Sequence, residues 1–239
     1  MVMKVDNCIK YVRSLLYPRS CILCGAEGDF AHHLCRPCQN SLPFNYHACP
    51  CCALPLPPHV PSSQWCGRCV RRQPPFTNSL TAFTYEAPVN RLIGMLKFRQ
   101  KLHLAEPLAG LLMERLGEKY EQPDILVPVP LHPLRLRARG FNQSVEITRV
   151  VARQCRLPFD WRLCRRVKET KAQSELSEQK RHRNLHNAFQ VCADVKGAHL
   201  ALVDDVITTG ATVTELSKTL IRAGAERVDV WAVARTPKS

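Results

Sequence analysis

The sequence predicts an α/β protein in which a parallel sheet flanked by helices follows a small N-terminal cysteine-rich module. Three observations carry this expectation. Eight of the 13 cysteines form four C-x-x-C pairs confined to 21–69, seven prolines crowd 50–76, and apolar runs alternate with helical periodicity beyond residue 78. A chain of 239 residues accommodates one domain of about 100–200 residues together with a small module.

At the N-terminus, Val2, Val5, Cys8, Ile9, Val12, Leu15 and Leu16 recur at helical spacing, interrupted by Lys4, Asp6, Lys10 and Arg13. The pattern predicts an amphipathic helix over 1–19 and lacks the apolar core of a secretory signal. The sequence contains no uncharged apolar run of the roughly 18 residues that a membrane span needs. A cytoplasmic protein without a membrane span is therefore expected.

The module over 20–74 holds Cys21/Cys24 and Cys35/Cys38 with ten residues between the pairs, then Cys49/Cys52 and Cys66/Cys69 with thirteen between them. Two such pairs bring four sulfurs to one tetrahedral metal, so the spacing predicts two structural zinc sites. A disulfide framework belongs to oxidising compartments, and redox C-x-x-C chemistry normally uses one pair beside a βαβ unit. Which pairs share a metal is left open by spacing alone, as is exchange of Cys52 for Cys51. His32, His33, His47 and His59 are further ligand types within the module. Gly25 and Gly67 adjoin cysteines at places where a tight turn needs a permissive backbone.

A domain boundary is expected at 74–78, where the proline-rich stretch ends. Beyond it, strands are predicted over 80–85, 124–129, 200–206 and 228–234. Helices are predicted over 89–99, 104–116 and 142–153, the last with Asn142 as N-cap, and from the loop after 206 to Gly224. Alternation of this kind gives a parallel sheet with right-handed crossovers over 78–239.

The run Leu202, Val203, Asp204, Asp205, Val206, Ile207, Thr208, Thr209, Gly210, Ala211, Thr212 joins an apolar strand to a helix through a Thr/Gly loop. Unpaired amides at a helix N-terminus, with the hydroxyls of Thr208, Thr209 and Thr212, make an anion cradle. The carboxylates of Asp204 and Asp205 accept hydrogen bonds from sugar hydroxyls. No lysine follows Gly210, which excludes the P-loop pattern, and G-x-G-x-x-G is missing from the sequence.

This segment closely resembles the phosphoribosyl pyrophosphate motif of type I phosphoribosyltransferases. Two further stretches narrow the likeness: 127–133, leading to Arg135, Arg137, Arg139, Gly140, Phe141, Asn142 and Gln143, and the set Arg166, Thr170, Gln173, Leu176, Arg181, Asn184 and Phe189. With the four cysteine pairs, the chain resembles the ComF/GntX family from about Cys21 to its last strand. The resemblance implies a phosphoribosyltransferase-like domain that binds phosphoribosyl pyrophosphate, or a related sugar phosphate, together with Mg²⁺. It places the pyrophosphate loop at Val129, Pro130 and Leu131, and the 5′-phosphate at Thr208 to Thr212, including Gly210 and Ala211. A flexible loop containing Thr170, Gln173, Arg181 and Asn184 would cover the site.

Departure of pyrophosphate builds negative charge, which cations neutralise. Arg139 and Arg181 are the catalytic candidates together with Asp205, and Lys97 is a weaker one. The turn at 128–130 is proline-rich, and no acceptor pocket is readable from the sequence. The resemblance ties such proteins to competence and the use of external DNA, with a DNA-uptake helicase or processing protein as a candidate partner. The net charge of +14 at pH 7 points to a polyanion and outlasts the charge of two zinc–thiolate sites. A non-catalytic single-stranded-DNA-binding protein with a vestigial or sensory nucleotide site is the alternative function.

Overall fold

In the computed structural model, which describes residues 20–27, 31–117, 120–169 and 185–237, the predicted periodicities become elements whose ends shift by at most about two residues. The chain divides into two compact units, Met1–Leu42 and Pro43–Ser239. The predicted helix over 1–19 lies outside the described residues. The boundary expected near Pro74 marks a change of composition, whereas compactness places residues 43–72 with the sheet.

In the first unit the described residues include a short α-helix, α1 (Arg36–Asn40), after a 3-10 turn at Ala31–His33. The second begins with α2 (Gly67–Arg71), which forms inside the proline-rich stretch between Pro61 and Pro74. Next come β1 (Ser79–Thr84), α3 (Val89–Arg99), α4 (Ala105–Leu116), β2 (Ile125–Pro128), α5 (Pro133–Arg139) and α6 (Gln143–Cys155). The chain continues through β3 (Cys164–Arg166), β4 (Phe189–Val191), β5 (His199–Ile207), α7 (Ala211–Arg222) and β6 (Arg227–Arg235). Helix α5 and the antiparallel β3–β4 ribbon were not expected. Helix α5 has a local cause: Pro133 sits at its first position, the His132 ring accepts from the Leu134 amide at 3.4 Å, and Gly140 at φ +83° ends it.

The main sheet is parallel throughout, in the order β1-β6-β5-β2. Apolar residues such as Leu200, Leu202, Val228 and Val230 have no exposure, as expected of parallel strands covered on both faces. Helix α6 packs on β2 and β5 and meets α4, while α7 packs on β6 and the β3–β4 ribbon. Strand order reverses at β5: one of its neighbours is β2, which precedes it, and the other is β6, which follows it. The crevice at the carboxyl ends of such strands is where open α/β sheets take ligands, and Asp204 to Thr212 emerges there. Among the described residues, no helix is long and apolar enough to cross a membrane.

Candidate functional site

Each zinc ribbon is assembled from a knuckle and a helix. In the first, the Gly25 amide donates to the Cys21 carbonyl at 2.8 Å with Gly25 at φ +76°, and Cys35 caps α1. In the second, the Ala53 amide donates to the Cys49 carbonyl at 2.8 Å with Ala53 at φ +53°, and Cys66 caps α2. The left-handed position thus falls on Ala53, whereas Gly67, expected to relax a turn, simply starts a helix. The sulfurs converge in two sets, Cys21, Cys24, Cys35, Cys38 and Cys49, Cys52, Cys66, Cys69, with all ligand atoms of a set within 4.8 Å of one another. Cys24 and Cys35 sulfurs lie 3.6 Å apart, as do those of Cys52 and Cys66, close to the roughly 3.8 Å edge of a tetrahedron with Zn–S near 2.3 Å.

Consecutive pairs therefore share a site, and two structural zinc sites fit. Cys51 is buried but stands outside the four-sulfur set, and none of the module's histidines belongs to either set among the described residues. The Cys66 amide donates to the Cys49 sulfur at 3.2 Å. Hydrogen bonds from Cys52 and then Cys69 hold the Cys49 thiol below the usual thiol range, and the same sharing pushes Cys69 up. A bound metal relieves this competition for protons.

The acidic pair lies in β5, with Asp204 8% and Asp205 3% exposed. Asp204 Oδ1 accepts from the Ser144 hydroxyl and from the Asp205 amide, each at 2.9 Å. Asp205 Oδ1 accepts from Gln143 Nε2 at 3.3 Å, and its Oδ2 faces Lys97 Nζ in an ion pair without a hydrogen bond of good geometry. Gln143 also accepts from Arg139, whose guanidinium lies over the Phe98 ring. Burial, followed by the charge of Asp205, pushes the Asp204 carboxyl up to about 8 against the opposing pull of Lys97. Burial depresses Arg139, while Asp205 favours its charge and Arg135 opposes it. Arg166, only 8% exposed, is lowered to about 10 by burial and Arg135, with Asp204 opposing. Cations therefore ring two buried carboxyls.

Thr208 is exposed, Thr209 and Thr212 are half-buried, and Gly210 and Ala211 are buried. Gly210 at φ +81° is the N-cap of α7 and has no side chain to satisfy the helix amides. The Thr209 hydroxyl accepts from the Ala211 amide at 3.3 Å, so it caps the helix as well as facing the loop. Val129 is anchored through its amide to the Val203 carbonyl at 2.9 Å and through its carbonyl to Asn142 Nδ2 at 3.0 Å. Asn142 Oδ1 in turn accepts from the Ser144 amide at 3.0 Å, the expected N-cap. This bond places Val129, Pro130 and Leu131 beside the start of α6.

Helix α6 thereby delivers Gln143 and Ser144 to the acidic pair. Sequence reasoning weighed Lys97 low, passed over Ser144 and the bridging role of Gln143, and named Arg166 only as part of the family resemblance, without a place beside the acidic pair. The spacing of Asn142, Gln143 and Ser144 at a predicted helix start was the available clue. Thr170, Gln173, Arg181 and Asn184 lie outside the described residues. A cavity of about 690 Å³ lined by Tyr46, Asn78, Arg115, Arg227 and Trp231 opens beside the opposite, amino ends of β1 and β6.

Comparison with known proteins agrees with the order of modules. Residues 12–70 match the family described as "Double zinc ribbon domain". The chain is 36% identical to the DNA utilization protein YhgH of Salmonella typhimurium over 93% of this chain and 99% of that protein. It is 32% identical to competence protein F of Haemophilus influenzae over 90% of this chain and 96% of that protein. Likeness to solved structures is slight: a glutamine phosphoribosylpyrophosphate amidotransferase from B. subtilis shows 19% identity and a TM-score of 0.34 over 56% of this chain and 25% of that one. Full-length similarity to these relatives, with the double zinc ribbon ahead of the parallel sheet, shows that the chain belongs to the ComF/GntX family of competence and DNA-utilization proteins.

Proposed function

We propose that this protein binds phosphoribosyl pyrophosphate or a related sugar phosphate at 204–212 and acts in DNA utilisation, the process named in its relatives. The observation that carries the reading is the buried, pre-oriented acidic pair. Asp204 and Asp205 are held by Ser144, Gln143 and Lys97 at the carboxyl end of β5, one loop before the N-terminus of α7. Burying two carboxyls against each other is costly unless a function retains them. Two adjacent acceptors beside an anion cradle suit the 2′- and 3′-hydroxyls and the 5′-phosphate of one ribose.

Mg²⁺ bound to the pyrophosphate would neutralise its charge and would meet the Asp205 carboxylate, an oxygen donor of the kind that ion takes. The chain's own part in transfer would be to hold the ribose while cations receive charge as the bond from C1 to the pyrophosphate oxygen breaks. Arg139 is the described candidate for that role and Arg181 the other. The acceptor is unassigned. Calorimetric titration of Mg²⁺ with phosphoribosyl pyrophosphate into the full chain tests the reading. Replacing Asp204 and Asp205 by Asn is expected to weaken binding, by about 1.5–3 kcal/mol for each hydrogen bond lost from an ionised carboxylate and by less for one lost from a protonated carboxyl. Equal affinity of the wild type and the double variant would end it.

The surplus of +14 favours a second reading in which single-stranded DNA binds the basic surface. Its affinity should fall steeply with salt as counterions are released. Lack of binding at low ionic strength would reject it.

A further inference from the structure

We propose that the second zinc ribbon is a working part of the sugar-phosphate site, with Arg68 and Arg235 as positioning residues that set the phosphate loop. The inference rests on the reading of 208–212 as that loop. Arg68 follows Cys66 by two residues and precedes the ligand Cys69, and its Nη2 donates to the Thr209 carbonyl at 2.7 Å. Arg235, 2% exposed at the end of β6, donates from Nε to the carbonyl of the ligand Cys52 at 3.2 Å. Its Nη1 reaches the carbonyls of Ile207, at 3.0 Å, and of Thr208. Two guanidiniums, one from the ribbon and one joined to it, thus hold three consecutive carbonyls entering α7.

This grip has a direct consequence for anion binding. In a trans peptide the carbonyl and the following amide point to opposite sides. Fixing the carbonyls of Ile207, Thr208 and Thr209 turns the amides of Thr208, Thr209 and Gly210 away from the two guanidiniums, where a phosphate can meet them. Gly210 is required for a reason the sequence did not show. A Cβ there would lie 3.2 Å from Arg68 Nη2 as well as sitting at φ +81°. Cys49, Cys52, Cys66 and Cys69 also belong to the same buried cluster as Ile207, Ala211 and Val213. Metal at the second ribbon therefore keeps Arg68 in place, and zinc occupancy at that site, not at Cys21, Cys24, Cys35 and Cys38, governs sugar-phosphate affinity.

The test uses the full chain with both zinc ions and compares Arg68→Ala with Arg71→Ala on the exposed side of the same helix. Arg68→Met serves as a second variant that keeps the packing of the stem. Zinc content, the affinity for phosphoribosyl pyrophosphate with Mg²⁺, and amide hydrogen exchange of 208–211 are measured for each. Both Arg68 variants should keep two zinc ions, bind about tenfold or more weakly and exchange faster in the loop, while Arg71→Ala matches the wild type. Unchanged loop exchange in Arg68→Met overturns the proposal whatever the ligand does. Unchanged affinity in Arg68→Met, with the wild type binding, overturns it too. If the wild type binds no sugar phosphate yet the Arg68 variants exchange faster, positioning of the loop stands and the reading of the site falls.

Discussion

In the first ribbon Cys24 is exposed and Cys38 half-buried, whereas in the second the ligands Cys49, Cys52, Cys66 and Cys69 are all at or below 7% exposure. The local geometry of the two is nearly the same. Cys35 caps its helix at φ −66°, ψ 154° and Cys66 at φ −66°, ψ 153°. The same C-x-x-C spacing within each pair has given similar knuckles, and the second ribbon lies within the core of the sheet and reaches the loop ahead of α7. Ligand pattern determines local shape, and what surrounds the shape determines its role.

The largest expected effect separates the ribbons by zinc loss. Cys69→Ser removes a ligand from a core that includes Leu202 and Val230, so it should destabilise the second unit by more than about 4 kcal/mol and lower its Tm by on the order of 10 °C. Cys24→Ser should release one zinc and leave the main unfolding transition in place. Calorimetric unfolding with metal analysis checks both, and equal shifts would erase the distinction.

Next in size is the polar joint between the second ribbon and β1. Asn45, 3% exposed, donates to the Ala53 carbonyl and to the Thr81 hydroxyl, each at 2.8 Å. Asn45→Ala leaves both acceptors buried and should cost about 1–3 kcal/mol, read from the denaturation midpoint. A neutral result would mean that the ribbon docks through apolar packing alone.

A third test asks what the acidic pair costs the unit that the ribbon joins. The Asp204 carboxyl is raised to about 8 in the fold against about 3.9 unfolded, so folding takes up a proton between those values. Its contribution is fully present below about pH 4 and is lost as pH rises through about 8. Asp204→Asn keeps an acceptor for Ser144 and the Asp205 amide, removes this pH dependence and should stabilise the apo protein at pH 7. Cys24→Ser should leave that pH profile unaltered. A wild-type profile flat between pH 5 and 8 would refute the assignment.

The smallest effects compare the knuckles themselves. Ala53→Gly relieves a left-handed residue at φ +53° and Gly25→Ala imposes one at φ +76°. The first should raise and the second lower stability by about 1 kcal/mol or less. Opposite signs would show that packing around Ala53 outweighs its backbone.

Much of this organisation was legible because it is written in local pattern. Spacing of four cysteine pairs announces two metal sites, and the predicted helix 89–99 matches α3 because its apolar periodicity is local, with Gln100 in the left-handed region ending it in the structure. Asn142 could be read as a cap because a polar side chain before a helical run has one frequent use. Helix α5 escaped because the six residues after Pro133 alternate apolar side chains with arginines, a period of two that does not mark a helix. The β3–β4 ribbon escaped because three-residue strands have too little periodicity to detect.

What the sequence determined by itself, then, was the set of units whose formation depends on near neighbours: knuckles, helices, strands and the strand-loop-helix of 202–212. Tertiary structure alone decided which units share an interior. Proline content separated the second ribbon from the sheet, but the core joined them, since burying four sulfurs with Ile207 and Ala211 and bringing the Arg68 guanidinium to the Thr209 carbonyl depends on residues more than a hundred positions away. It likewise decided that Lys97 meets Asp205 and that Arg68 meets Thr209. Pairings between distant charges follow from how helices and strands pack, and no one-dimensional spacing encodes them.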